Sequence, residues 1–189
     1  MKPAELVELV RLDPTLKLDI RYATPDNFVG CAVYPEPRAF LQKPAAEALL
    51  RAHRALRSSG HGLLVFDGYR PWSVTRLFWE SVTEDRRRFV ADPAQGSRHN
   101  RGCAVDLTLF EISTGLEVKM PSGFDEMTER SAPGYTGGTA ASRRSRDLLI
   151  AEMERQGFQV NPYEWWHFDH PSWKDYSLLD IGFAEIERN

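Results

Sequence analysis

The sequence predicts an α+β fold, a small antiparallel sheet with helices packed beside it. Three observations carry this. Residues 44–59 and 141–156 place apolar side chains at three- and four-residue steps and are followed by glycine, the pattern of amphipathic helices. Short apolar runs at 63–66 and 103–109 are bounded by turn residues and read as strands. Helices and strands do not alternate regularly, which argues against a doubly wound parallel sheet.

Residues 1–37 hold Pro3, Pro14, Pro25, Pro35 and Pro37, a density of breakers that favours extended segments and turns over helix. Within them Leu16, Leu18 and Ile20 alternate with Lys17, Asp19 and Arg21, the period of a strand. Ala45, Ala48, Leu49, Ala52 and Leu56 form one helical face, and Gly60 supplies the stop. A buried strand is expected at 63–66. A helix is expected from Trp72 to about Val82, with Val74, Leu77, Phe78 and Val82 on one side.

In 103–109, Val105, Leu107 and Leu109 share one strand face, and Ala104, Asp106 and Thr108 share the other. A turn at 113–115 leads to a short strand at 117–119. Residues 120–140 are rich in Gly, Pro, Ser and Thr and exceed an ordinary connection; long loops of this kind are often functional. The helix at 141–156 is ended by Gly157. The last strand candidates are 158–160, 165–169 and 181–186. No internal repeat or low-complexity tract interrupts the chain.

With 189 residues and 21.6 kDa, one domain spanning 1–189 is expected. The apolar share of 42% is enough for a core, and five Trp, six Tyr and ten Phe argue against disorder. A net charge of −3 removes the main argument for a nucleic-acid partner, which requires a basic face. No run approaches the ~18 apolar residues of a membrane span, so no membrane partner is expected. Cys31 and Cys103 allow at most one bridge, which rules out a disulfide scaffold. The opening MKPAELVELVRLDPT has no apolar signal core, so a cytoplasmic location with free thiols is expected.

Three segments bear chemistry. In Ser97-Arg98-His99-Asn100-Arg101-Gly102-Cys103-Ala104-Val105-Asp106, a neutral imidazole and a carboxylate are both good metal ligands. Alone, one His and one Asp at this spacing are weak. The segment Glu164-Trp165-Trp166-His167 adds a third ligand and a second acid. Two His and one Asp leave a fourth position for water, as in a catalytic zinc site, and a nearby carboxylate outside the ligand set can take that water's proton. In Asp67-Gly68-Tyr69-Arg70-Pro71, an Arg at a strand end next to the stiff Pro71 is placed to meet an oxyanion or a carboxylate. His53, His61 and His170 read as ordinary histidines. The run Arg86-Arg87-Arg88 reads as a solvated helix end.

Together these segments resemble the D-alanyl-D-alanine dipeptidases, the zinc peptidases related to the vancomycin-resistance dipeptidase. The matches follow the family's order. They are Leu18-Asp19-Ile20-Arg21-Tyr22, Asp67-Gly68-Tyr69-Arg70-Pro71, the Ser-x-His-x-x-Gly-x-Ala-x-Asp run at 97–106, Gly123-Phe124-Asp125 and Glu164-Trp165-Trp166-His167. The resemblance spans about 16–186, and the ten-residue run and Glu-Trp-Trp-His are specific as a pair. It implies one zinc ion per chain held by His99, Asp106 and His167. It implies Glu164 as general base, Arg70 as the oxyanion's partner, and Tyr22, Ser97 and Asp125 as dipeptide-binding residues. It further implies a hedgehog-like zinc D,D-peptidase fold. After Asp125 the loop departs from the family pattern, since Ala132-Pro133 stand where a His is common.

The implied reaction is hydrolysis of D-Ala-D-Ala to two D-alanines. A D,D- or L,D-carboxypeptidase that trims peptidoglycan peptides is the alternative. Asp125 favours the dipeptidase, because a free amino terminus calls for an anion. A non-enzymatic zinc-binding module has no use for Glu164. Residues three apart on a regular strand face opposite ways. For Glu164 and His167 to converge, residues 161–164 are expected to form a turn, with regular strand from about Trp165.

Overall fold

The structure, a computed structural model, describes residues 1–186. Residues 187–189, the end of the expected 1–189 domain, lie outside the described residues. The strands are β1 (Leu6–Glu8), β2 (Lys17–Leu18), β3 (Phe40–Gln42), β4 (His61–Asp67), β5 (Ala104–Glu111), β6 (Gln159–Asn161) and β7 (Glu164–Asp169). The helices are α1 (Leu9–Leu12), α2 (Lys43–Leu56), α3 (Trp72–Ser81), α4 (Ala140–Arg155) and α5 (Phe183–Ile186). The fold is α+β, as the sequence predicts.

The main sheet has the order β2-β4-β5-β7-β6, and β1 and β3 form a separate antiparallel pair. All neighbours in the main sheet are antiparallel except β2, which runs parallel to β4 along one edge. The alternation at Leu16–Ile20 therefore yields a strand of only two residues. The chain then turns through a 3-10 segment at Arg21–Ala23, which buries Tyr22.

Strands β4 and β5 are buried on both faces along almost their whole length, which explains their near-continuous apolar sequence. Helix α2 begins with a proline in its first turn and packs Ala45, Ala48, Leu49, Ala52 and Leu56 inward against β4 and α4. It ends through a 3-10 turn into Gly60, whose φ of 78° only glycine adopts without strain. Thr139 caps α4 by accepting a hydrogen bond from the Ser142 amide at 3.0 Å.

Two expected strands are absent. Residues 117–119 contribute one bridge, Glu117 to Phe110, and no strand. Residues 181–186 carry α5, because Phe183 and Ile186 stand one helical step of three residues apart after Gly182. Phe183 inserts among Tyr34, Phe40 and Tyr69. The proline-rich start holds one short helix, α1. The long segment 120–140 is a loop with a 3-10 turn at Glu129–Ser131. No helix among the described residues is long and apolar enough to cross a membrane.

Candidate active site

Three sheet strands deliver the site from their adjoining ends. The β4–β5 register shifts between Val65 and Asp67, which sets Asp67 opposite Asp106. Asp106 in turn pairs with His167 on β7. His99 comes from the 3-10 turn His99–Arg101, which Gly102 closes at φ 68° before β5 starts. Ser97 Oγ accepts the His99 amide at 3.1 Å, and Asn100 Nδ2 donates to the Arg70 carbonyl and to Thr75 Oγ1, both at 2.8 Å. These bonds tie the His99 turn to the Arg70 segment.

His99, Asp106 and His167 are buried, and their ligand atoms lie within 4.8 Å of one another. His99 Nε2 is 3.1 Å from His167 Nδ1 and 3.4 Å from Asp106 Oδ1, and His167 Nδ1 is 3.0 Å from that oxygen. Each imidazole is engaged from behind. His99 Nδ1–H donates to the Gly68 carbonyl at 2.7 Å, and His167 Nε2–H donates to Asp169 Oδ1 at 3.1 Å. The tautomers follow, because a carbonyl and a carboxylate only accept. Both remaining nitrogens thus turn lone pairs towards Asp106 Oδ1, a buried oxygen that receives no well-angled hydrogen bond. With both rings neutral, three lone pairs converge with no donor between them and repel unless a cation, a proton or a metal, joins them; two imidazoles and a carboxylate meeting at one point are a donor set that fits a divalent metal.

The electrostatics agree. Burial opposes charge on His167, yet the carboxylates of Asp106 and Asp169 outweigh it and push its pKa well above the ordinary value. Burial also works against the Asp106 anion, but His99 and His167 overcome it and hold the carboxyl well below the usual range. The pocket therefore stabilises positive charge at its focus.

Glu164 stands beside this cluster and outside it, with Oε2 4.0 Å from His167 Nδ1 and 3.2 Å from Asn161 Nδ2, which donates to it. Burial pushes its carboxyl up to about 7, the range that suits a general base at neutral pH. The expected turn is shorter than 161–164. Pro162 and Tyr163 alone form it, and Glu164 is the first residue of β7, paired with Asn161.

Arg70 is buried and lines the cleft. Its Nε and Nη2 donate to Asp67 Oδ2 at 2.9 and 2.8 Å, and Nη2 lies 3.6 Å from Asp106 Oδ2. Asp67 Oδ1 accepts from Tyr34 Oη at 2.8 Å and from the Gly68 amide at 2.9 Å. Gly68 packs so tightly that a Cβ there would sit 2.6 Å from the Phe40 carbonyl oxygen. Asp67 and Asp106 would repel across the strand pair, and Arg70 between them offsets both.

Tyr22 Oη donates to Asp125 Oδ2 at 2.7 Å. Asp125 has φ 58°, the left-handed backbone that Asp tolerates better than most residues, and no other described non-glycine residue shares it. Burial pushes its carboxyl up to about 8. Ser97 is half-buried on the cleft wall. The cleft encloses about 510 Å³ and gathers all eight expected site residues: Tyr22, Arg70, Ser97, His99, Asp106, Asp125, Glu164 and His167.

The sequence profile of the D-Ala-D-Ala dipeptidase family of peptidases matches residues 2–181. The chain belongs to that family. It is 38% identical over 180 residues to the D-alanyl-D-alanine dipeptidase of Escherichia coli K12, covering 95% of this chain and 92% of the relative. It is 36% identical over 171 residues to the D-alanyl-D-alanine dipeptidase of Enterococcus faecium, covering 81% and 85%. Among solved structures, the LdcB LD-carboxypeptidase shares the fold at a TM-score of 0.50 and 18% identity, covering all of this chain and 79% of that one. Membership makes the chain a zinc peptidase, and the His-Asp-His cluster supplies donors that suit zinc.

Four residues that hold the site were not expected to have roles. Asp67 lies inside a quoted motif, but nothing in sequence says that its carboxylate faces Arg70. Tyr34 and Asn100 reach the site only through tertiary contacts, and Asp169 reaches His167 from two residues along the same strand. Of the remaining histidines, His53 is buried and bonded to the Leu63 amide, and His170 bonds Ser172.

Proposed function

We propose that this chain hydrolyses D-Ala-D-Ala to two D-alanines, with His99, Asp106 and His167 holding one zinc ion. The observation that carries the reading is the placement of Glu164, a partly buried carboxyl 4.0 Å from a candidate ligand nitrogen yet outside the ligand set. When bound, the zinc supplies Lewis-acid activation of a water and of the scissile carbonyl. Glu164 takes the attacking water's proton and returns it to the leaving amine. Arg70, held rigid by Asp67, meets the oxygen on which negative charge develops. Asp125 receives the substrate ammonium, with Tyr22 bracing its other side. An ammonium there favours the anion and draws the raised Asp125 carboxyl back to its charged form. Ser97 keeps its hydroxyl proton free to donate, since its oxygen accepts the His99 amide.

A carboxypeptidase acting on longer peptides is the second reading, and the half-buried acid at Asp125 favours the dipeptidase over it. A binding module without activity leaves Glu164 unexplained. The dipeptide is the partner; neither nucleic acid nor a membrane is part of the reading. The chain acts as one domain, supported by a contiguous hydrophobic core. A cytoplasmic location is supported by two free cysteines, one of them the exposed Cys31. The deciding experiment compares D-alanine release from D-Ala-D-Ala with release from an N-blocked tripeptide ending in D-Ala-D-Ala. Release from the dipeptide alone is expected. Preference for the blocked tripeptide makes the chain a carboxypeptidase, and no release from either by zinc-loaded protein leaves the binding module.

A further inference from the structure

The two imidazoles of the cluster have unlike partners behind them. His99 hydrogen-bonds an uncharged carbonyl, that of Gly68, with the Asp67 carboxylate, already paired to Arg70, 3.9 Å away, whereas His167 hydrogen-bonds the carboxylate of Asp169 directly. His167 and Asp169 are two apart on β7 and so share a strand face. The Asp169 backbone is clamped on both sides, by Ala104 of β5 and Gln159 of β6. Its second oxygen, Oδ2, accepts from Arg98 Nη1 at 2.9 Å. The Arg98 guanidinium lies over the Trp173 ring, 4.9 Å from its centre, next to the Ser97–His99 turn. The Asp169 side chain is 13% exposed and that of Arg98 48%, so a charge at the cleft edge reaches inward to a partly buried one.

We propose that Asp169 and Arg98 are positioning residues for the metal site. Asp169 fixes His167 in the tautomer whose Nδ1 lone pair faces Asp106, and Arg98 balances and aims Asp169. A carboxylate behind an imidazole raises the donor strength of the opposite nitrogen more than a neutral carbonyl does. His167 is therefore the stronger of the two nitrogen donors. An isolated surface ion pair would do none of this, and its loss would leave metal binding unchanged. The inference rests on His167 being a ligand.

The test measures zinc affinity of the metal-free protein by competition with a chromophoric chelator, with folding of each variant followed by circular dichroism. Asp169→Ala is expected to bind zinc about 10–100-fold more weakly. Asp169→Asn, which keeps an acceptor oxygen, falls between it and the parent. Arg98→Ala weakens binding by less than Asp169→Ala. The double variant is no weaker than Asp169→Ala alone, because Arg98 acts through Asp169. Parental affinity in folded Asp169→Ala overturns the proposal; should that variant not fold, parental affinity in both Asp169→Asn and Arg98→Ala overturns it. His167→Ala separates the two levels of the claim. Tight zinc in that variant removes the ligand reading itself. Loss of zinc there, with parental affinity in Asp169→Ala, removes only the outer pair.

Discussion

Glu164 and His167 lie three residues apart on β7, yet Glu164 Oε2 comes within 4.0 Å of His167 Nδ1. A regular strand would turn them to opposite faces. The β6–β7 ladder makes the difference. Val160 pairs with Phe168 and Asn161 with Glu164, so β6 advances one residue while β7 advances four. The extra residues form a bulge that re-aims side chains beside the site, a common use of bulges. One irregularity thus brings the proposed base to the edge of the His99–Asp106–His167 cluster.

Metal binding is expected to depend on three histidine and aspartate side chains. His99→Ala, Asp106→Ala and His167→Ala each lose zinc, while His53→Ala, His61→Ala and His170→Ala retain it. Elemental analysis of the six purified proteins checks this, and stoichiometric metal in His99→Ala refutes the assignment. His53→Ala is expected to be less stable while keeping its metal, because it strips a buried acceptor from the Leu63 amide.

Glu164→Ala is expected to keep zinc and fold but lose about 10²-fold or more in kcat. Burial places the parent's Glu164 carboxyl at about 7, and a bound cation draws it lower. The base works only when ionised, so kcat/KM of the parent rises with pH along an acid limb ending at or below neutrality. Rate measurements across pH 5–8 check this. Loss of metal from Glu164→Ala would instead make it a ligand.

The same carboxyl carries a stability cost. An unfolded Glu titrates near ~4.3, whereas burial holds native Glu164 at about 7. Between these values the native state keeps a proton that the unfolded state has lost, so stability falls as pH rises, and the loss is complete above the native value. Metal-free Glu164→Gln is therefore expected to melt above the metal-free parent at pH 8, with the gap closing towards pH 4. Thermal denaturation at the two pH values checks the sign.

Arg70→Ala is expected to lower kcat by about 10²–10³, the cost of one oxyanion donor. Tyr34→Phe removes a buried donor from Asp67 and is expected to cost about 1–3 kcal/mol of stability. It also lowers kcat through a looser Arg70, with KM largely unchanged. Steady-state kinetics and denaturant titration separate the two effects.

Periodicity alone determined α2, α3 and α4 and the strands β4 and β5, because each element buries one continuous stripe or run. Residue chemistry in order along the chain, joined to the family resemblance its motifs carry, named the candidate ligands, the candidate base and Arg70, because metal and base chemistry accept few side-chain types. The tertiary structure decided the rest. Residues 181–186 fit a strand and a helix equally in sequence, and packing of Phe183 into the Tyr34–Phe40–Tyr69 cluster selected helix. The parallel pairing of β2 with β4 leaves no local trace, since pairing direction is set by chain topology. Tyr34 and Asn100 bond to partners 33 and 30 positions away along the chain, and no spacing rule joins such pairs; strand period puts Asp169 on the face of His167, but only the folded site turns its carboxylate to the ring. Sequence names the groups able to do the chemistry, whereas their tautomers, aim and pKa values come from burial and hydrogen bonds that exist only once the strands have met.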